Sequence, residues 1–411
     1  MKTAYLAAAA LAAPIALAQP ALAAPGDPVK LDGGLTFDPI IDGRLRFESV
    51  DQPATDAEAL TLRIRAGAEL KHSSGLSMLF ESEGTLAIAD DYNAFPFPVS
   101  SSQRRTQYSV VADPMNVELN RLQIQYKSKK ATVTLGRQRI NLDDQRWVGG
   151  VAWRQNEQTF DAVRGEFTLG PVGLDAIYSN GQRTLFGFDA QARSEYEGDF
   201  VLLGASAKTG PVQVKAFTYL LDYDEGFFAA NSSQTYGARA VAALPLPGKN
   251  KLTLTASYAR QSDYGSNPFD YSADYIAGEA ALGVKMFTLT AGYEKLGSDN
   301  GRAVQTPMAT LHKFNGWADL FLTTPASGLE DIYGGVAAKF DKVKALPGLN
   351  AQVTYHTFQS DVGGLDFGSE WDASLGFKLG RTSLLAKFAD YQAKGFGVDT
   401  QKLWLQLEFS Y

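Results

Sequence analysis

Apolar and polar residues alternate with a period of two along most of the chain. In "ALTLRIRAGAEL" (59–70), Leu60, Leu62 and Ile64 share one side of an extended strand, while Arg63 and Arg65 point to the other side. This alternation predicts strands with one apolar and one polar face. The same pattern predicts about 18 strands, near 42–50, 59–70, 75–88, 117–127, 131–139, 159–169, 171–179, 199–208, 211–222, 234–243, 251–260, 273–284, 286–296, 332–341, 350–359, 370–380, 382–391 and 402–411.

The connections between these strands alternate in length. Short ones such as "SKK" (128–130), "GP" (170–171) and "GR" (380–381) separate long ones such as 89–116 and 140–158. The predicted fold is therefore an all-β transmembrane antiparallel barrel with short periplasmic turns and longer extracellular loops. A water-soluble propeller or sandwich is the alternative. It is disfavoured because no repeat of about 40–50 residues is visible.

The two chain ends carry their own signals. "MKTAYLAAAALAAPIALAQPALAAPGD" reads as a signal peptide over residues 1–23, followed by one barrel domain over 24–411. An anchor helix is the alternative, but the apolar core at 4–18 is shorter than the ~20 residues a span requires. At the other end, "KLWLQLEFSY" (402–411) reads as a closing strand with Leu403, Leu405 and Leu407 towards lipid and Tyr411 at the periplasmic interface.

That closing strand also resembles the C-terminal signal by which barrel proteins are recognised for assembly. The barrel assembly machinery is therefore a predicted partner. Trp404 breaks the pattern, because alternation directs it into the lumen near the outer rim. We expect it to pack against a loop there.

Composition excludes several classes of function. The chain has no cysteine, which excludes disulfides and thiolate metal sites. A net charge of −7 argues against a nucleic-acid partner. Of the three histidines, His356 has Ser360 nearby, but nothing marks this serine as a nucleophile, so an outer-membrane hydrolase is a minor alternative and no enzyme is predicted.

Acidic segments lie in several long connections, at 90–91, 143–144 and 222–225. They are interpreted as solvated surface. A second interpretation is Ca²⁺ or Mg²⁺ binding among lipid headgroups, since these ions prefer oxygen ligands. No other cofactor is predicted.

The polar face of the early strands is highly charged. A turn centred near Ser73 would place Arg63 opposite Glu83 and Arg65 opposite Glu81. Such pairs form a self-neutralising ladder in one interpretation. In the other, unpaired arginines select anions, with Arg44, Arg46, Arg121 and Arg164 as the main candidates. The predicted pore-lining residues are Arg44, Arg46, Arg63, Arg65, Glu81, Glu83, Arg121, Arg137, Arg139, Arg154 and Arg164.

Two of these arginines conflict with strict alternation. Counting from Val133, Arg137 and Arg139 would face lipid, which is costly near the membrane midplane. The sequence therefore predicts a bulge at Gly136 or the end of the strand there.

Two long stretches resemble the bacterial alginate export family of outer-membrane proteins. They are "LGRQRINLDDQRWVGGVAWRQNEQTFDAVR" (135–164) and "PMATLHKFNGWADLFLTTPASGLEDIYGG" (307–335). The resemblance implies an eighteen-stranded channel and an arginine-rich pore suited to polyuronate or other anionic solutes. The family's dedicated exporter has long plug segments, whereas the turn here is the short "LGRTS" (379–383). Loop 89–116 either folds into the lumen or forms a flexible tip.

The predicted function follows from these features. The chain is expected to be a porin-like channel in the bacterial outer membrane that passes anionic, carbohydrate-derived solutes. Lipid and lipopolysaccharide are its expected surroundings. A structural or adhesive barrel with a closed lumen is the main alternative.

Overall fold

A computed structural model describes residues 27–410 of the chain. The predicted signal peptide (1–23) and Tyr411 lie outside the described residues, so their predicted roles stay predictions.

The chain folds into a closed antiparallel barrel. Eighteen strands form the wall of the barrel, as the sequence predicts. The barrel closes where the first and the last of these strands pair, from Asp42 opposite Ser410 to Asp51 opposite Gln401. The strands are β1 (Val29–Lys30), β2 (Leu35–Asp51), β3 (Asp56–His72), β4 (Leu76–Asp91), β5 (Asn116–Lys127), β6 (Ala131–Gln138), β7 (Thr159–Leu169), β8 (Val172–Arg183), β9 (Glu195–Thr209), β10 (Val212–Tyr223), β11 (Ser233–Pro245), β12 (Lys251–Asp263), β13 (Ser272–Val284), β14 (Phe287–Leu296), β15 (Ser298–Asp299), β16 (Arg302–Ala303), β17 (Leu329–Lys339), β18 (Asn350–Gln359), β19 (Asp366–Leu379), β20 (Thr382–Ala393) and β21 (Thr400–Ser410).

The helical elements are short 3₁₀ turns. They span Asp32–Gly34, Phe188–Arg193, Ala229–Asn231, Pro247–Lys249 and Leu311–Lys313. Within residues 27–410, no helix has the length and hydropathy needed to cross a membrane.

The outer wall of the barrel is apolar because side chains alternate across each strand. In β21, Leu403, Leu405 and Leu407 are exposed, whereas Lys402 and Trp404 on the opposite face of the strand are buried inside. Exposed leucine, isoleucine, valine and aromatic side chains recur on most of the other strands. A closed barrel satisfies every backbone hydrogen bond, so this apolar band fits a lipid bilayer.

Connection length separates the two ends of the barrel, with exceptions. The predicted long segment at 51–58 is a tight turn over 52–55, where Gln52 N–H donates to the Thr55 carbonyl at 3.0 Å. At the opposite end, the connection over 340–349 is longer than the other turns. The end with residues 72–76, 128–130 and 380–381 is called the turn end, and the other the loop end.

Two long connections from the loop end fold into the barrel. Residues 139–158 and 304–328 are called the inner loops. Within the first, Arg154 reaches Glu48 on β2 at 3.0 Å, and Arg146 reaches Glu294 on β14 at 2.7 Å. The two inner loops are joined where Gly149 N–H donates to the Met308 carbonyl at 2.8 Å. The lumen is therefore occupied by packed chain.

The loop over 92–115, for which the sequence left two alternatives, remains largely at the loop end. Its Phe95 and Phe97 pack against Phe186, with ring centroids 6.3 and 4.8 Å away. Its Asp113 reaches further inside and accepts the N–H of Gln155 at 2.8 Å. The loop therefore contacts the first inner loop from the loop end of the barrel.

The predicted bulge or strand end at Gly136 is wrong, because the pairing of β6 with both neighbours continues through Gly136 to its end without a register shift. Gly136 has φ +110° and β6 ends two residues later. Arg137 lies opposite Leu122, which is exposed on the outer face, so Arg137 lies on that face too. It forms two hydrogen bonds with Asp161, at 2.8 and 2.7 Å. The prediction that Arg137 lines the pore is therefore wrong, because the glycine shifts no side chain inward before the strand ends.

Gly136→Ala tests this local geometry. A Cβ at this position would collide with the Leu122 carbonyl oxygen, and its φ disfavours any L side chain. We expect the free energy of unfolding to fall by about 1–3 kcal/mol, measured by urea unfolding in lipid vesicles. Gly226→Ala is the control, since a Cβ there meets no atom within 4 Å. Equal losses for both variants would contradict this account.

Candidate functional site

One wall of the lumen carries a dense network of ion pairs. Arg121 binds Glu81 through two hydrogen bonds, at 2.9 and 2.6 Å. Arg65 pairs with Glu83 and, at 2.7 Å, with Glu157 of the first inner loop. These carboxylates are almost fully buried. Each arginine here is therefore neutralised by a strand or an inner loop.

The predicted cross-strand partners on this wall are wrong by two residues. The structure places Arg65 opposite Glu83, and Glu81 opposite Gly67. The turn between β3 and β4 is centred on Ser74, one residue later than predicted. Moving the centre of a hairpin by one residue moves every pairing by two.

The prediction that four arginines are unpaired is also wrong. Arg44, Arg46, Arg121 and Arg164 each have an acidic partner, because residues distant in sequence supply the carboxylates. The partners are Glu408, Asp113, Glu81 and Asp175, at 2.9, 3.5, 2.6 and 2.6 Å respectively.

The other predicted site residues lie in the same kind of environment. Arg63 pairs with Asp42 and lies 3.4 Å from Glu408. Arg139 pairs with Glu157 of the first inner loop, so its guanidinium group points into the lumen and not towards lipid. Arg154 pairs with Glu48 at 3.0 Å and with Asp319 at 2.7 Å.

Two arginines anchor the first inner loop through its backbone. One terminal nitrogen of Arg44 donates to the carbonyl oxygens of Ala152, Trp153 and Arg154, at 3.0, 3.1 and 3.0 Å. The Arg46 guanidinium lies over the Trp153 ring at 4.1 Å and also donates to its carbonyl. These contacts hold a loop in the lumen and leave these two guanidinium groups little access to solute.

A group of aromatic rings surrounds a lysine at the centre of the barrel. Lys387 Nζ lies 4.0 Å from the Trp153 ring centroid and 3.6 Å from that of Trp317, and 2.8 Å from His312 Nε2. Trp404 meets the edge of Trp153 at 5.8 Å, so its predicted packing against a loop is confirmed. These five residues are called the tryptophan cluster. Cation–π contacts favour the ammonium here.

His312 is held in its neutral form. Its Nδ1 lies 2.8 Å from Asp319 and its Nε2 accepts from Lys387. Burial lowers the pKa of His312 well below its usual value, and the Lys387 and Arg154 charges lower it further, although Asp319 opposes them. Burial would raise the pKa of Asp319, but His312, Lys402 and Arg154 hold it well below its usual value.

A cavity of ≈ 560 Å³ opens on the loop side of the tryptophan cluster. It is called the loop-side cavity. Its positively charged lining residues are Arg154, Arg193, Arg302 and Lys402. Within residues 27–410, the only acidic residue that lines it is Asp319. Since Asp319 is already paired, the cavity is electropositive.

A second cavity, of ≈ 410 Å³, lies on the turn side. His312 lines the first cavity and Trp317 the second, so the tryptophan cluster lies between them. The acidic residues lining the turn-side cavity are Asp144, Glu279, Glu294, Asp331 and Asp372, against Arg239, Lys313 and His356. The two cavities therefore differ in electrostatic sign.

The unpaired guanidinium groups are ones the sequence did not single out. Within residues 27–410, Arg193 and Arg302 form no ion pair with a carboxylate. Arg193 lies over the rings of Phe97 and Phe227, at 4.9 and 4.6 Å, and Arg302 over Phe269, at 5.5 Å. Arg193 ends a short 3₁₀ turn and Arg302 begins the two-residue strand β16, where alternation gives no signal. Their nearness to aromatic residues of other loops is visible only in the fold.

The hydrolase alternative finds no support at its proposed pair. Nδ1 of His356 lies 3.0 Å from Asp331, while Ser360 donates to the Val362 carbonyl at 2.9 Å.

The acidic pair in the first inner loop forms ion pairs instead of a solvated surface, with Asp143 2.8 Å from Lys215. Within residues 27–410, no three His, Asp or Glu side chains form a metal-binding group. The calcium interpretation stays a prediction.

Comparison with known proteins now identifies the relationship. Residues 54–279 match the family described as alginate export. The chain belongs to the alginate export family. Together with the lipid-facing barrel, this membership makes it a porin-type barrel of the bacterial outer membrane. No curated protein sequence matches the chain significantly.

Solved structures share the fold of this alginate export family member at low sequence identity. Acinetobacter baumannii OccAB4 is 13% identical with a TM-score of 0.73, covering 94% of this chain and 100% of that chain. Pseudomonas aeruginosa OccK1 (OpdK) is 14% identical with a TM-score of 0.68, covering 91% and 98%. The structure of OpdK with vanillate is 15% identical with a TM-score of 0.67, with the same coverage. At these identities the likeness concerns the fold.

Glu157→Gln tests the ion-pair network. Burial would raise the pKa of Glu157, but Arg65 and Arg139 lower it to about 2. Removing its charge leaves the buried Arg65 with Glu83 alone and takes the close counter-ion from Arg139, so we expect the free energy of unfolding to fall by about 3–5 kcal/mol. Tryptophan fluorescence during urea unfolding measures this loss. The control is Glu166→Gln, because the Glu166 side chain is 45% exposed and Arg164 keeps Asp175 as a partner; a comparable loss there would contradict the prediction.

The neutral state of His312 predicts a pH dependence. The unfolded chain binds a proton on this histidine near pH 6.5, while the folded chain does not, so protons favour unfolding. Above about pH 6.5, the neutral His312 does not reduce the free energy of unfolding. Below that pH, the free energy of unfolding falls, by roughly 1 kcal/mol at pH 5.5. His312→Gln should reduce this fall, whereas exposed His72→Gln should not. Identical pH profiles for the two variants would refute the assignment.

Proposed function

We propose that this protein is a passive channel for anionic, carbohydrate-derived solutes such as uronates. The observation that carries the proposal is the electropositive loop-side cavity, in which Arg193 and Arg302 have no carboxylate partner. A guanidinium is charged at every physiological pH and binds a carboxylate through two parallel hydrogen bonds. These two residues, rather than the paired arginines of the wall, are the proposed first contacts of the solute.

The surroundings of these arginines support a cyclic, carboxylated solute. Arg193 and Arg302 are held over aromatic rings, which orients their planar groups. Tyr196 and Phe228 also line the cavity and stack at 4.0 Å. Apolar ring faces beside charged donors suit a sugar ring that carries a carboxylate.

Positive side chains continue towards the centre of the barrel. Lys402 lines the loop-side cavity, and Lys387 lies beyond it in the tryptophan cluster. In a water-poor lumen, such charges raise the local concentration of anions. The solute would move between fixed charges without any coupled source of energy.

One family description and one solved structure are consistent with this solute class. The matched family is described as alginate export, and alginate is a polyuronate. The OpdK structure contains vanillate, a carboxylate. Lipopolysaccharide, the barrel assembly machinery and anionic saccharides remain predicted partners of this chain.

A structural barrel with a closed lumen is the second candidate. The inner loops and the tryptophan cluster fill the centre, where Arg46, Arg63 and Trp404 are fully buried. This arrangement favours a closed state, from which no conductance would be expected.

Conductance in planar bilayers tests the proposal. Under a KCl gradient, the wild-type protein should conduct with a reversal potential that shows anion preference. Galacturonate oligomers should interrupt the current, and neutral oligomers of equal length should not. The Arg193→Gln, Arg302→Gln double variant should bind the uronate roughly tenfold more weakly, because charged hydrogen bonds are lost.

Arg260→Gln, Lys394→Gln is the matched control. It removes the same charge from side chains that are 57% and 65% exposed at the loop end, where they pair with other residues outside the lumen. This control should keep the wild-type affinity. Cation preference would refute the anionic solute, and complete absence of conductance would favour the closed barrel.

A further inference from the structure

The ring of Trp317 lies between the two cavities of the lumen. Trp317 lines the turn-side cavity, while the next two residues, Ala318 and Asp319, line the loop-side cavity. The second inner loop therefore passes from one cavity to the other at this tryptophan. Its side chain is only half-buried, because it faces the ≈ 410 Å³ of the turn-side cavity. The ring thus has space beside it into which it can turn.

The chain on both sides of Trp317 is fixed to the barrel wall. Before it, the side-chain amide of Asn315 donates to Glu294 on β14 at 2.7 Å. After it, the N–H of Ala318 donates to Glu370 on β19 at 2.7 Å. Movement at this point is therefore movement of the ring about its own side-chain bonds, and it requires no loss of strand pairing.

One side chain of the wall holds the Trp317 ring in place. Nζ of Lys387 on β20 lies 3.6 Å from the centroid of this ring, and its hydrogen bond at 2.8 Å goes to the neutral His312. Within residues 27–410, Lys387 forms no ion pair. A buried ammonium without a carboxylate partner is stabilised by ring faces and neutral acceptors. Lys387 and the Trp317 ring therefore stabilise each other's positions.

Trp153, on the other side of the same ammonium, is held by more contacts. Its ring stacks on that of His312 at 4.5 Å and meets the edge of Trp404 at 5.8 Å. Among the ring-to-ring and cation–π contacts of residues 27–410, the Trp317 ring takes part only in the one with Lys387. Loss of the ammonium would therefore release the Trp317 ring and leave Trp153 in place.

We propose that Lys387 is a latch that holds the Trp317 ring across the passage between the two cavities. While the ammonium lies on the ring, the cavities stay separate. When the ring turns into the turn-side cavity, the two cavities join and the lumen opens. The tryptophan cluster is then a gate, closed in this structure, and Lys387 sets the fraction of time for which the gate is open. The proposal does not depend on which solute the channel passes.

Single-channel recording in planar bilayers tests the proposal. Lys387→Met keeps the length of the side chain and removes its charge. Loss of one desolvated cation–π contact should raise the ratio of open to closed time by roughly tenfold. Lys387→Arg keeps the charge and should stay close to the wild-type protein. Trp317→Ala removes the ring that closes the passage and should open the channel whether or not Lys387 is present.

Adding Lys387→Met to Trp317→Ala should produce no further increase, because the latch acts through this ring. Lys295→Met is the matched control. Lys295 lies opposite Ile276, which is exposed on the outer face, and pairs with Asp361 at 3.0 Å. Urea unfolding in lipid vesicles confirms that each variant folds. The proposal is overturned by a wild-type open time in Lys387→Met, by an equal rise in Lys295→Met, or by the same rise with and without Trp317. Absence of conductance from Trp317→Ala would overturn it as well.

Discussion

The structure depends on the neutralisation of charge inside a closed barrel. Arginines on β2 and β3 project into a lumen filled by packed chain, where they are almost fully buried and an unpaired charge would cost several kcal/mol. The strands supply some of the carboxylates, such as Glu83 for Arg65. The inner loops supply others, such as Glu157, together with backbone carbonyls. The position of the first inner loop is thus largely determined by the charges it must neutralise.

The same constraint separates structural arginines from those available to a solute. A guanidinium that already binds carboxylates or carbonyls has few donors left for another anion. Arg44 and Arg46 are structural in this sense, because they donate to carbonyl oxygens of the first inner loop. Arg193 and Arg302 lie over aromatic rings, and one terminal nitrogen of Arg302 donates to the Ala230 carbonyl and the Asn231 side chain, so both groups are oriented without a carboxylate that neutralises their charge. The proposed solute selectivity therefore rests on the loop-side cavity.

The two ends of the barrel differ in structure. Long connections at the loop end fold inward and form cavities and ion pairs, while the connections at the other end are mostly short turns. The division follows from topology: strands that alternate in direction place every second connection at the same end.

Much of the fold was predictable from the sequence. Alternation specified the strands, their number and the lipid-facing side of β21, because a strand's faces depend only on residue parity. It also predicted that Trp404 points inward. The partners of the charged residues were not predictable. A turn centred one residue later shifts every pairing by two, and partners such as Arg44 and Glu408 are distant in sequence. The inner loops, the two cavities and the free guanidinium groups depend on such contacts, so only the tertiary structure decided them.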